Sequence, residues 1–245
     1  MSFNLNYLKK PELKKPIAIA GLPGIAFVGK LGIEFLIREL KAEKFAELYA
    51  DYFPGWVLRE DGLVRGLRMD FYEASPDGSD HDFILITADA QASSSQGQYK
   101  LTHKMLDVIA DQNAEAAITL AAFLSAEREN TPVVGAATDS DKGKMIADHG
   151  VELLDKGRIV GMNGLFPGLA LDRGMWGFCL LGTTKGGDLD PNASKEVLRV
   201  LSDIFNFGLD LSHFEDRIPD LPKFKPPKMK MPTVPGTEKD IKYIR

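Results

Sequence analysis

The fold class that the sequence predicts is α/β: a three-layer α/β/α sandwich around a mostly parallel central sheet. Three observations carry it. Short apolar runs alternate along the chain with longer stretches of helical period, the order that yields strands joined by crossover helices. One run, Phe83-Ile84-Leu85-Ile86-Thr87-Ala88, is almost continuously apolar, as in a strand covered on both faces. A composition of 44% apolar and 27% charged residues is that of an ordinary globular chain that buries a core. Right-handed crossovers are then expected.

The organising stretch is residues 16–40, PIAIAGLPGIAFVGKLGIEFLIREL. Residues 17–20 have strand character, and Gly21-Leu22-Pro23-Gly24 ends them with residues suited to a sharp turn, so that a helix is expected to begin at Gly24 or Ile25. Lys30, Glu34 and Arg38 fall at i, i+4 and i+8, one polar stripe with a favourable Glu34 to Arg38 pair, while Val28, Leu31, Phe35 and Leu36 form a wide apolar face. A glycine turn leading into a helix is also where anions bind, because the first helical N–H groups lack an internal partner. Gly24, Gly29 and Lys30 match the phosphate-loop pattern G-x-x-x-x-G-K-[ST], but Leu31 stands where a magnesium-holding hydroxyl is required. The glycines are therefore expected to serve geometry, Gly21 and Gly24 in the turn, Gly29 and Gly32 in the close approach of the helix to a sheet.

The remaining elements follow in order. Residues 45–53 read as a strand ended by Pro54-Gly55, and residues 63–67 and 69–72 as a pair of short strands at a sheet edge or in a hairpin. Ser75-Pro76-Asp77-Gly78 is a turn, and the run at 83–88 is the next strand. Ser95 is placed to cap a helix with Gln98 as its capping-box partner, and Leu101, Met105, Val108 and Ile109 make the buried stripe. Residues 116–120 and 133–137 are strands, and Asp139 or Ser140 caps a short helix that Gly150 ends. Ile159-Val160-Gly161 leads into a glycine-rich segment at 164–168 with no basic side chain to complete an anion site. Residues 176–181 are the last strand. Asp190-Pro191 starts a helix lined by Val197, Leu201, Ile204 and Phe205 and closed by Gly208.

The length of 245 residues suits one α/β domain, placed at residues 1–218, followed by a tail at 219–245 that holds six of the chain's 14 prolines and six lysines. The net charge of −5 argues against a general nucleic-acid binder. The single cysteine, Cys179, sits in an apolar run and reads as a buried thiol, and with no apolar leader or membrane-length run the expected location is the cytoplasm.

No catalytic constellation emerges. His81, His103, His149 and His213 have no second ligand at metal spacing, so no metal or cofactor is expected; Asp80-His81-Asp82 reads as a solvated turn. No G-x-S-x-G elbow occurs, and Ser93-Ser94-Ser95 reads as a loop into a capped helix. The loop at 89–97 follows an apolar strand, where an open parallel sheet presents its ligands. Gly21, Gly24, Asp89, Gln91 and Gly97 are thus the candidate ligand loop, and Ile241, Tyr243, Ile244 and Arg245 the candidate partner-docking end of the tail.

Taken together, the segment GLPGIAFVGKLGIEFLIREL, Thr87-Ala88-Asp89-Ala90-Gln91 with Gly97-Gln98-Tyr99, and residues 161–168 with Cys179-Leu180-Leu181-Gly182 and Asp190-Pro191-Asn192-Ala193 resemble the archaeal and actinobacterial branch of the proteasome assembly chaperone family. The resemblance runs in register from about residue 16 to residue 213. It implies a phosphorylase-like sandwich, homo-oligomerisation, and a non-enzymatic, ATP-independent role in handling proteasome α subunits or the core particle. Members that act on the proteasome often end in a hydrophobic residue, tyrosine and any residue. Here tyrosine stands third from the end and Ile244 is penultimate, an offset of one strand step, ~3.3 Å. The alternative reading is a small-molecule binder or enzyme that holds a nucleoside or phosphate between the turn at 21–24 and the loop at 89–97.

Overall fold

The computed structural model describes residues 2–125, 132–215 and 243–244. Its strands are β1 Phe3–Tyr7, β2 Ile17–Gly21, β3 Glu43–Ala50, β4 Val57–Glu60, β5 Leu63–Gly66, β6 Arg68–Ala74, β7 Phe83–Ala88, β8 Ala116–Leu124, β9 Val133–Ala137, β10 Glu152–Leu153, β11 Arg158–Ile159, β12 Trp176–Thr184 and β13 Tyr243–Ile244. The helices are α1 Val28–Glu39, α2 Ser95–Ala110, α3 Ser140–Asp148, α4 Met162–Ala170 and α5 Pro191–Phe205. Among the described residues, eleven strands form one sheet in the order β1-β3-β6-β7-β2-β8-β12-β9-β10, with β11 and β13 beside it, while β4 and β5 pair as a separate ribbon.

The centre, β7-β2-β8-β12, is parallel, and the strands outside it are antiparallel on one flank (β6, β3, β1) and at β9 on the other. Crossover helices join the central strands, whereas a turn is enough to bring β7 back beside β6. Alternation along each strand sorts the core into two layers. Ile17, Ile19, Phe83 and Leu85 pack with α1 and α5, and Ala18, Ala20, Ile84 and Ile86 pack with α2 and α4. Helices therefore cover both faces, and the chain is a mixed α/β sandwich.

Gly29 makes the close approach expected of it; Gly21, expected in the turn, is the last residue of β2 and shares that approach, whereas a Cβ on Gly32 would meet the Ser194 hydroxyl of α5 at 3.2 Å and no sheet backbone. A Cβ on Gly21 would collide with the Gly29 carbonyl oxygen, and a Cβ on Gly29 would collide with that of Leu120. Both are backbone atoms that cannot step aside, so α1 lies on β2 and β8 at a separation only hydrogen side chains permit. The turn before α1 is tighter than expected, with Ala26 and Phe27 both in the left-handed region at φ 47° and 52°.

Several expectations are corrected. The strand at 63–66 pairs with β4 and not with the strand that follows it; Asp61-Gly62 makes the hairpin, both at positive φ, and this two-residue signal is plain in the sequence. Ser94, not Ser95, caps α2, its Oγ accepting from Gly97 N at 3.1 Å, while Gln98 turns its amide to Ala92 O. Three consecutive serines offer equivalent hydroxyls, and only the backbone angle chooses among them. Asn206 at φ 52° closes α5, two residues before Gly208. The glycine-rich segment at 164–168 is helical, inside α4, despite Pro167.

Pro167 has no N–H to give to the Asn163 carbonyl one turn earlier. Cys179 supplies the missing donor, its Sγ lying 3.4 Å from that oxygen. Burial pushes the Cys179 thiol up to about 12, which keeps it protonated and able to donate.

Two predictions follow from this packing. Gly29→Ala should lower the free energy of unfolding by about 3 kcal/mol or more in urea titration, whereas Gly168→Ala, whose Cβ meets open space, should leave it unchanged or raise it by up to about 1 kcal/mol. Cys179 should resist a thiol reagent at pH 8 in the folded protein and react fully in denaturant, and Cys179→Ala should cost about 1–2 kcal/mol.

Candidate functional site

β2 and β7 are adjacent and parallel, yet the chain leaves β2 for α1 on one face and β7 for α2 on the other. Their carboxyl ends are thus a topological switch point, where open α/β sheets receive ligands. Gly21 and Thr87 stand directly across from each other there. The structure brings Gly21, Gly24, Asp89 and Gln91 to this end, as the sequence suggested, and adds Lys30, Glu34 and Thr87.

Lys30, Glu34, Thr87, Asp89 and Gln91 each have a partner inside the chain, whereas the buried side-chain amide of Asn163, beside Met162 at the start of α4, has none among the described residues. Lys30, at 9% exposure, reaches from α1 to donate to Thr87 Oγ1 at 2.7 Å and lies 2.7 Å from Glu34; the Thr87 hydroxyl donates in turn to Glu34 at 3.0 Å. The expected polar stripe on α1 is therefore partly an internal contact, with Lys30 and Glu34 paired. Asp89 accepts from both Arg65 terminal nitrogens, at 2.5 and 3.1 Å, and from Arg68 N at 2.9 Å, which ties the β4–β5 ribbon to the end of β7. Such a two-pronged guanidinium–carboxylate contact fixes orientation as well as charge.

Gln91 spans the switch point. Its Nε2 donates to Pro23 O at 2.8 Å, and its Oε1 accepts from Met162 N at 3.0 Å, capping α4 from a distant loop where Gly161 has no side chain to do so. Gly97 belongs to the α2 cap, and Gly24 O accepts from Phe27 N at 3.2 Å within the turn. The arrangement crosslinks the β2 turn, the β7 loop and the start of α4, with Lys30, Asp89 and Gln91 engaged in the scaffold.

Elsewhere, His81 Nδ1 lies 3.0 Å from Lys15 O, at the amino end of the same strands. No group of three or more His, Cys, Asp or Glu side chains suited to a metal ion occurs among the described residues, and none of their helices is long and apolar enough to cross a membrane. Of the proposed docking residues, Tyr243 and Ile244 form β13, and Ile241 and Arg245 lie outside the described residues. Their place beside β8 had no signal in the sequence, because it depends on a strand end left open by another strand.

Gln91→Ala should leave the Met162 amide without its partner and lower the unfolding free energy by about 1–3 kcal/mol in urea titration; Gln91→Glu, which keeps an acceptor but no amide donor, should fall between.

Known proteins share this framework. The chain is 33% identical over 246 residues to an uncharacterised protein of Methanocaldococcus jannaschii, covering 95% of this chain and 93% of that one. The crystal structure of Pyrococcus furiosus PbaB, an archaeal proteasome activator, superposes with a TM-score of 0.82 at 35% identity, over 89% of this chain and 94% of that one. That of Pyrococcus furiosus PbaA, an archaeal homolog of proteasome-assembly chaperone, does so with a TM-score of 0.73 at 26% identity, over 88% and 87%. A Mycobacterium tuberculosis proteasome-assembly chaperone homologue, at 17% identity and a TM-score of 0.68, shares the fold. The PAC2 family model matches residues 18–219, from inside β2 past the end of α5, and so takes in the glycine turn, the switch point and both helical layers: the chain belongs to the PAC2 family.

Proposed function

We propose that this protein is a non-enzymatic, ATP-independent proteasome assembly chaperone or proteasome-binding adaptor that acts on α subunits or the core particle. The observation that carries it is the likeness to PbaB, 35% identical over nearly the whole of both chains. The switch point supports it, since Lys30, Asp89 and Gln91 are engaged in holding the scaffold together. In this reading residues 1–218 are the body, which assembles as a homo-oligomer. Residues 219–245 are a reaching tail whose end, Ile241, Tyr243, Ile244 and Arg245, docks on the proteasome in the cytoplasm.

The test is native mass determination of the full chain alone, with proteasome α subunits, and with the assembled core particle. A homo-oligomer that gains mass with one of these partners, and loses that gain on deletion of residues 240–245, is the expected result. Absence of association with both overturns the proposal, and association that survives the deletion overturns the role of the tail. A thermal-shift panel of nucleosides and nucleotides should be flat, because only a ligand held by the native state raises its stability.

A further inference from the structure

β8 outruns its neighbour. β2 ends at Gly21, opposite Leu120, and the chain turns away into α1, while β8 continues through Leu124 paired with β12 on its other side. Residues 121–124 therefore present an open strand edge at the carboxyl end of the sheet, a row of backbone groups that seek a partner. β13 takes that place. Ile244 stands opposite Phe123 in antiparallel register, and the second edge of β13 pairs in parallel with Arg158–Ile159. Among the described residues β11 has no other strand beside it, so β13 is the piece that joins β11 to the sheet.

The floor beneath is apolar. Phe123, Val134 and Leu181 are buried in a small cluster of their own, apart from the two main core layers, with Leu154 and Ile159 packed against it. An open strand edge over an apolar floor is what a receptor for an extended peptide requires: the ladder supplies affinity and the floor supplies burial.

We propose that the notch between the end of β8 and β11 is a peptide-docking groove whose occupant is the chain's own C-terminal segment, stowed there as an added strand. Chain length agrees with this occupant. Residues 216–242, 27 in number, separate the last described residue before them from β13, and a fully extended chain of that length spans up to ~90 Å, enough to reach the groove or a partner outside. Tethering also gives the segment a high local concentration, so a two-residue ladder too weak to hold a free peptide holds this one. A stowed segment must be released before it docks elsewhere; this consequence rests on the function proposed above. The tail is then a competitor of its own partner, and groove variants tune partner binding without touching the tail.

Hydrogen exchange of the full chain, with no partner present, tests the groove by itself. The amides of Tyr243 and Ile244 should exchange about tenfold or more slowly than in a synthetic peptide of residues 239–245, at a rate independent of protein concentration, and deletion of residues 240–245 should speed exchange at residues 158–159 and 121–124. Exchange of Tyr243 and Ile244 at the free-peptide rate in a protected body overturns the inference. Protection that grows with protein concentration overturns it too, by assigning the groove to a second copy's tail. The second arm measures core-particle affinity of Ile159→Pro, which places a ring that cannot fit a regular ladder in the strand that pairs with β13. Stowage predicts binding about threefold or more tighter than wild type, and equal affinity overturns the competition. If neither protein binds the core particle, the proposed function fails, and the exchange result alone decides the groove.

Discussion

The close approach of α1 to the sheet is the constraint on which the rest depends. With no Cβ on Gly21 or Gly29, helix backbone meets strand backbone at the Leu120 carbonyl. That proximity brings Lys30 over the end of β7, where it reaches Thr87, and it requires the abrupt turn in which Ala26 and Phe27 take left-handed angles. Left-handed backbone at residues with side chains costs about 1–2 kcal/mol each. The turn is held by long-range contacts, among them Asp190 N donating to Ala26 O at the start of α5. The strain here is explained by packing and needs no bound ligand.

The same logic governs the switch point. In many open α/β sheets, helix starts and loop side chains converge there on a ligand; in this chain they converge on one another. Gln91 acts as cap and strut, Asp89 anchors a ribbon, and Lys30 is neutralised by Glu34. The PAC2 family model spans this scaffold, from inside β2 past the end of α5.

Much of this was legible along the chain. The strand at 83–88, the capped start of α5 at Asp190-Pro191 and the apolar stripe of α2 are local signals in which one stretch carries its own period or cap. β1 was missed although FNLNY alternates apolar and polar residues with the strand period, because five residues beside a lysine-rich stretch make a short signal. α4 was hidden because Gly164, Pro167 and Gly168 oppose a helix, and the compensation comes from elsewhere: a thiol for the carbonyl that Pro167 leaves free, and an amide oxygen for the first N–H.

The sequence by itself determined the order of the central strands β2, β7, β8 and β12 and of helices α1, α2, α3 and α5, and the close approach at Gly29. Tertiary structure alone decided which polar groups remain free to act. Gln91 finds its partners 68 and 71 positions away, Lys30 bonds Thr87 across 57, and Ile244 meets Phe123 only because β2 stops short. Local periodicity records which face of an element is apolar, and it holds no information about which distant backbone group a side chain will meet once the layers close.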